Sequence, residues 1–247
     1  MISLCKDKEC ITDALAKVNG SVFIRENIRL YLEAYGTDYE FSQLYLQYND
    51  CDITAVTSIV LRYNNLVYVL SDESADINEL FAFVCGFADA DVFADEILKS
   101  SFSDYDICYT FSKNGETVTA LPDIKIVESA KIVSDLVTKD YDEQLKLDFF
   151  LNTAHQIRHG ILKVYGYYLE NQLAAVVSAS DVCNDLVVIT FVYTDSHFRG
   201  NGLASHLLSN VCCDAAKKYI LLCEEHNVKF YEKCGFNQLE RCVKFKL

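Results

Sequence analysis

One proline and nine glycines are spread over 247 residues, so each sharp turn they allow is informative. No apolar run approaches the ~20 residues that a membrane-spanning helix needs, and no membrane partner is expected. The first residues, MISLCKDKECITD, carry charges where a signal peptide would have its apolar core. A soluble, unexported, cytoplasmic protein is therefore expected. The eleven cysteines include no Cys-x-x-Cys pair, and Cys212 and Cys213 are adjacent on an expected helix, so no metal is expected. A chain of this length with 51% hydrophobic residues has no need of a disulfide framework. Its cysteines are expected to be mostly small buried hydrophobes, kept reduced.

Positive charge is also scarce. The net charge of −14 leaves no basic stripe to neutralise phosphates, which argues against nucleic acid as a partner. Residues 1–122 hold 8 Lys and Arg against 20 Asp and Glu, whereas residues 123–247 hold 14 against 16. The acidic character belongs to the first half. It reads as a solvated surface or as attraction for a cationic substrate.

The single proline, Pro122, follows the turn signal Asn114-Gly115 and separates these halves. We expect an acidic N-terminal α/β domain at 1–120 and a second α/β domain at 121–247. In the second domain, strands are expected at 124–127, 161–169, 173–179, 186–194, 219–223 and 236–245. Helices are expected at 130–138, 142–156, 202–218 and 228–233, giving the order β-α-α-β-β-β-α-β-α-β. "ENQ" and "SDVCND" read as turns. The first half is less legible: strands near 40–48, 53–63 and 66–71, a helix at 76–84, and helix or strand at 91–99. It faintly echoes the second half.

What is present is one unusual stretch, VYTDSHFRGNGLASHLLSNV (192–211). It runs from a strand through two glycines into a helix. A helix N-terminus exposes unpaired N–H groups and the positive end of the dipole. Glycines let a phosphate come close, and Arg199 adds fixed charge. Arg199-Gly200-Asn201-Gly202-Leu203-Ala204 can thus cradle a pyrophosphate. No Gly-Lys-Ser/Thr follows, so it is not a Walker A loop, and the three-glycine dinucleotide pattern is missing. On these grounds alone, a glycine-capped turn is equally open.

Arg-x-x-Gly-x-Ala between a strand and a helix, with FYEKCGF (230–236) downstream, resembles the GNAT superfamily of N-acetyltransferases. The element order fits as well. The resemblance implies a central mixed, mostly antiparallel sheet flanked by helices, and acetyl-CoA as cosubstrate. It assigns Val192, Tyr193 and Thr194 to the pantetheine arm and Arg199, Gly200, Asn201, Gly202, Leu203 and Ala204 to the pyrophosphate. Tyr231 matches the tyrosine near the thioester sulfur, a general acid for the departing thiolate. Asn227 is assigned to the cofactor arm by similarity to the glucosamine-6-phosphate N-acetyltransferases. Two departures stand out: Ser196 where many relatives have proline, and Glu224 where they often have Asn.

The implied reaction moves an acetyl group to the primary amine of a small, preferably cationic acceptor by direct attack in a ternary complex. A catalytically silent CoA-binding module and a protein N-acetyltransferase are the alternatives. By residue type the general base is open among Glu170, His155, His159 and His197. The first half would be a degenerate copy that binds no CoA, because "SDESAD" before its helix has neither glycine nor basic residue. A monomer or homodimer is expected.

Overall fold

The computed structural model describes residues 1–49, 55–118, 123–183 and 185–247; Pro122 and the expected boundary at 120/121 lie outside the described residues. One order of elements occurs twice. The first set is β1 (Ile2–Leu4), α1 (Lys8–Lys17), α2 (Val22–Tyr35), β2 (Ser42–Tyr48), β3 (Val56–Tyr63), β4 (Leu66–Ser71), α3 (Ile77–Val84), β5 (Asp91–Asp95), a 3₁₀ turn (Glu96–Ser101) and β6 (Asp106–Asn114). The second is β7 (Ile124–Ile126), α4 (Ala130–Val137), α5 (Glu143–Arg158), β8 (Lys163–Leu169), β9 (Gln172–Cys183), β10 (Leu186–Thr194), α6 (Leu203–Val211), β11 (Lys218–Glu224), α7 (Val228–Lys233) and β12 (Asn237–Lys246). The expected mixed α/β class is the observed one. Among the described residues no helix is long and apolar enough to cross a membrane.

By its contacts the chain forms two units. The first consists of Met1–Thr110, Cys223–Val228 and Gln238–Leu247. In it β1, β2, β3 and β4 pair antiparallel in turn, β4 pairs parallel with β5, and β12 lies antiparallel to β5. The closing strand of the second set therefore completes this sheet, with Cys242–Lys246 opposite Asp95–Asp91. Val243 and Phe245 enter a core with Val60, Val67, Val69, Leu80 and Val92. Burying such side chains contributes about 1.5–3 kcal/mol each.

One carboxylate interrupts this apolar interior. Asp95 Oδ1 accepts the Ser21 N–H at 2.6 Å and Oδ2 accepts the Ser71 N–H at 2.8 Å. Gly20 must be glycine, because a Cβ there would stand 2.7 Å from Asp95 Oδ2 and 2.9 Å from the Ser71 carbonyl. Burial pushes the Asp95 carboxyl up to about 6, more than the two N–H donors pull it down, and nearby Glu240 adds to the rise. Ser21 caps α2 and donates its hydroxyl to Glu240 at 2.6 Å.

The second unit is Phe111–Leu222 with Lys229–Asn237. Here β7, β8, β9 and β10 pair antiparallel in turn, and β10 pairs parallel with β11. The β8–β9 hairpin turns at Glu170 and Asn171, both with positive φ (48° and 67°), as a two-residue hairpin of primed type requires. Two expectations need correction. β9 runs on to Cys183, through residues expected as a turn. α6 ends at Val211 rather than Lys218, because Asp214 caps a local turn instead, accepting the Ala216 N–H at 3.0 Å. The cysteine expectation is also too strong: of the nine cysteines whose side chains are described, all unbridged, only Cys108, Cys212, Cys223 and Cys242 are buried.

Two predictions follow from the first unit. Phe245→Ala should destabilise it by about 3–5 kcal/mol. Native-state hydrogen exchange should then show lost protection in β4 and β5; loss confined to 123–222 would contradict the placement of β12. The second concerns pH. Folded Asp95 holds its proton more tightly than the ordinary value of 3.8 allows, so its stabilising effect is complete below about pH 4 and lost as pH rises through about 6. The swing is on the order of 3 kcal/mol. Denaturant titrations of Asp95→Asn should lose this slope between pH 4 and 6.

Candidate functional site

The site begins where two strands part. β10 and β11 pair over four residues only, Leu186–Ile189 against Lys218–Leu221. Beyond Ile189, β10 continues to Thr194 without a β11 partner, while Val192–Thr194 still pair with Val177–Ala175 of β9. The register shifts between Ile189 and Val192. Ser178 holds this irregularity: its hydroxyl accepts the Phe191 N–H at 2.9 Å and lies 2.6 Å from Thr190 Oγ1. One edge of Thr190–Thr194 is thus left open to an extended ligand. Burial agrees, since Val187–Ile189 are buried, Thr190 is exposed and Phe191–Thr194 are half-buried.

The strand leads into a shaped turn. Asp195 caps a 3₁₀ turn, Ser196–Phe198, and Oδ1 accepts the His197 N–H at 2.9 Å. The donors around this carboxylate, first of all the His197 backbone and ring, hold it below the usual range. Arg199 Nε donates to the Thr194 carbonyl at 3.1 Å, and its guanidinium lies 5.9 Å from the centre of the Tyr193 ring. Asn201 Nδ2 donates to the Phe198 carbonyl at 3.1 Å. Gly200 and Gly202 have φ of +83° and +74°, the left-handed region that other residues rarely enter. Gly202 is the N-cap of α6 and offers its first turn no side-chain acceptor. The N–H groups from Gly200 to Ser205 have no acceptor among the described residues. A glycine-lined set of such donors at a helix N-terminus fits a pyrophosphate.

Tyr231 lies on α7, which ends in a Schellman turn. The Phe236 N–H donates to the Tyr231 carbonyl at 3.0 Å, and the Gly235 N–H to that of Glu232 at 3.0 Å. Gly235 takes φ +82° and the rings of Tyr231 and Phe236 meet at 6.0 Å. FYEKCGF is therefore a helix stop with its hydrophobic contact, and the ring of Tyr231 is buried in it, also facing Phe111.

All the residues from Val192 to Ala204 named from the sequence share this strand, turn and helix. Asn227 falls in the first unit, where its Nδ2 lies 3.0 Å from His226 Nε2. Glu170 is exposed in its hairpin turn and His159 is exposed behind α5, its ring 4.3 Å from that of His155. His197 is taken up by Asp195, with Nδ1 2.8 Å from the carboxylate. Asp195 and Ser178 went unrecognised in the sequence, although an Asp directly after a strand is a common cap. A groove between α4 and α5 carries Lys131, Lys139 and Lys146, each ion-paired, to Asp135, Asp195 and Glu143. In the first unit a cavity is lined by Asp104, Asp106, Glu224 and Glu225 with Tyr105 and Tyr109. Among the described residues no three His, Cys, Asp or Glu side chains converge as metal ligands would.

Residues 130–236 match the acetyltransferase (GNAT) family model. Among solved structures, the chain resembles a Drosophila protein at 12% identity, over 100% of this chain and 98% of that one, with a TM-score of 0.69. It resembles the tandem GNAT protein from the clavulanic acid biosynthesis pathway, determined without AcCoA, at 11% identity over 100% and 98%, with a TM-score of 0.63. A GNAT-family acetyltransferase from Colwellia psychrerythraea is similar at 13% identity over 100% and 99%, with a TM-score of 0.58. At these identities the likeness concerns the fold alone. No curated protein matches the sequence. The stretch that holds the open strand edge, the glycine turn and Tyr231 is thus similar to the acetyltransferase (GNAT) family over residues 130–236.

Proposed function

We propose that the protein is an acetyl-CoA-dependent N-acetyltransferase acting on the primary amine of a small, cationic acceptor by direct attack in a ternary complex. The observation that carries this reading is the open edge of Thr190–Thr194, followed after one short turn by six N–H groups, Gly200–Ser205, without acceptors among the described residues. Acetyl-CoA supplies a thioester already activated for acyl transfer. The chain's residues bind and orient it. Arg199 and the N–H groups of Gly200–Ala204, with the dipole of α6, take the pyrophosphate. The backbone of Val192–Thr194 takes the amides of the arm, and an N–H on this edge polarises the acyl carbonyl. The Tyr231 hydroxyl donates a proton to the departing sulfur. Holding both reactants in place supplies much of the rate.

The first unit is proposed as a second copy of the fold that holds no CoA. Its counterpart of the phosphate site is already filled: Asp76 caps α3 and accepts the N–H groups of Asn78 and Glu79, both at 3.0 Å. Where β4 outruns its pairing with β5, the Ser71 N–H is taken by Asp95. Carboxylates occupy both places that a CoA would need. The acidic cavity of this unit attracts amines rather than anions. A silent CoA-binding module is the second reading, favoured by the use of the Tyr231 ring in a helix stop.

Thiol release from acetyl-CoA, followed across polyamines, amino sugars and lysine-like amines, tests the proposal. Turnover is expected on cationic amines; tight CoA binding without turnover on any of them favours the silent module. Gly202→Asp puts a side chain at a left-handed position and a negative charge at the helix N-terminus. It should weaken CoA on the order of a hundredfold by calorimetry, and retained affinity would remove the cradle. Tyr231→Phe keeps the ring packing and should lower kcat about a hundredfold, with CoA affinity nearly unchanged. Undiminished kcat would end its role as the acid.

A further inference from the structure

Four residues, Asp195–Phe198, separate the open strand edge from the glycine turn, and one of them is bound on every side. Asp195 is only 6% exposed. Its N–H donates to the Ala174 carbonyl of β9 at 2.9 Å, and its own carbonyl accepts the Phe198 N–H at 2.9 Å. Carboxylate Oδ1 accepts the His197 N–H, and Oδ2 lies 3.6 Å from Lys139 Nζ, just past the end of α4. One side chain and its backbone thus tie β9, α4 and the 3₁₀ turn to the end of β10. By contrast, the residues that follow make few bonds of their own beyond those of Arg199 and Asn201 to nearby carbonyls.

We propose that Asp195 is a positioning residue for the glycine turn, fixing Ser196–Phe198 so that the N–H groups of Gly200–Ser205 are presented as a preformed set. This rests on reading that turn as the CoA pyrophosphate site. The physical gain is preorganisation: a turn that already has its bound conformation loses less freedom when the ligand arrives. The same rigidity can be supplied in another way. Ser196 is the first residue of the 3₁₀ turn, and its N–H has no acceptor among the described residues. Asp195 has φ −53° and ψ 137°, the extended conformation that precedes proline. A proline at 196 is therefore compatible with the backbone and restrains it without replacing any contact of the carboxylate.

The test measures CoA affinity by calorimetry, and melting of the CoA-free protein, for the wild type and for variants at 195 and 196. Asp195→Ala should bind CoA about five- to tenfold more weakly, the effect of losing a cap. Asp195→Glu keeps the charge but places it beyond the His197 N–H, and should lose as much; it decides the question if Asp195→Ala does not fold. Asp195→Asn retains the capping oxygen and should stay within about twofold of the wild type. Adding Ser196→Pro to Asp195→Ala or to Asp195→Glu should restore affinity to within about twofold, whatever it does to the melting temperature. Wild-type affinity in both Asp195→Ala and Asp195→Glu, or no recovery with Ser196→Pro, overturns the positioning role alone. A wild type that binds no CoA overturns the reading of the turn and this inference with it.

Discussion

The parting of β10 from β11 after four paired residues is the constraint on which the candidate site depends. Two parallel strands that stayed paired to their ends would leave no backbone edge for an extended ligand. Their divergence is built into the neighbouring pair. The register shift between Ile189 and Val192, held by Ser178, bends β10 while its outer half keeps its bonds to β9. Bulges commonly redirect a strand near a functional site in this way. Because β10 then runs straight into the Asp195 turn and α6, its direction also decides where the helix N-terminus points. The open edge and the direction of the unpaired N–H groups are consequences of one bend.

The first unit shows what the same order of elements becomes when that opening is closed. β4 and β5 also pair in parallel over four residues, Leu66–Val69 against Asp91–Ala94. There the next residue, Asp95, folds its carboxylate back onto the Ser71 N–H, and the close approach of Gly20 leaves no space beside it. The α3 N-terminus is capped by an acidic side chain, whereas that of α6 is capped by a glycine with none. The difference between a capped and an uncapped helix N-terminus therefore comes down to one side chain at the same point of a repeated element order.

Most of the second half was legible because its strands and helices follow their own periodicity and its turns carry glycine, Asn or Asp. The strand Leu186–Thr194 has the expected limits, and both residues of the Glu170–Asn171 turn are of types that suit it. The errors have local causes: Asp214 stopped α6 early, and Ser180–Cys183 formed strand because pairing with β10 outweighed turn-prone residues. The first half was harder to read. α2, VFIRENIRLYLEAY, is buried on most faces, including Glu26 and Asn27, so its pattern lacks the polar side that marks a surface helix. Asp195 was missed because its role lies in bonds to three separate segments, which spacing along the chain does not encode.

The last strand shows why a boundary at the proline does not by itself describe the organisation. β12 closes the second set of elements in sequence, yet its Val243 and Phe245 fill the core of the first unit. A core that takes in β12 cannot be finished until that strand is in place. The same connection runs through the candidate site, because α7, its Schellman stop and β12 follow one another without a linker. Tyr231 lies six residues before Asn237, the first residue of that strand. The covalent path from the proposed acid to the interior of the first unit is thus one helix stop long.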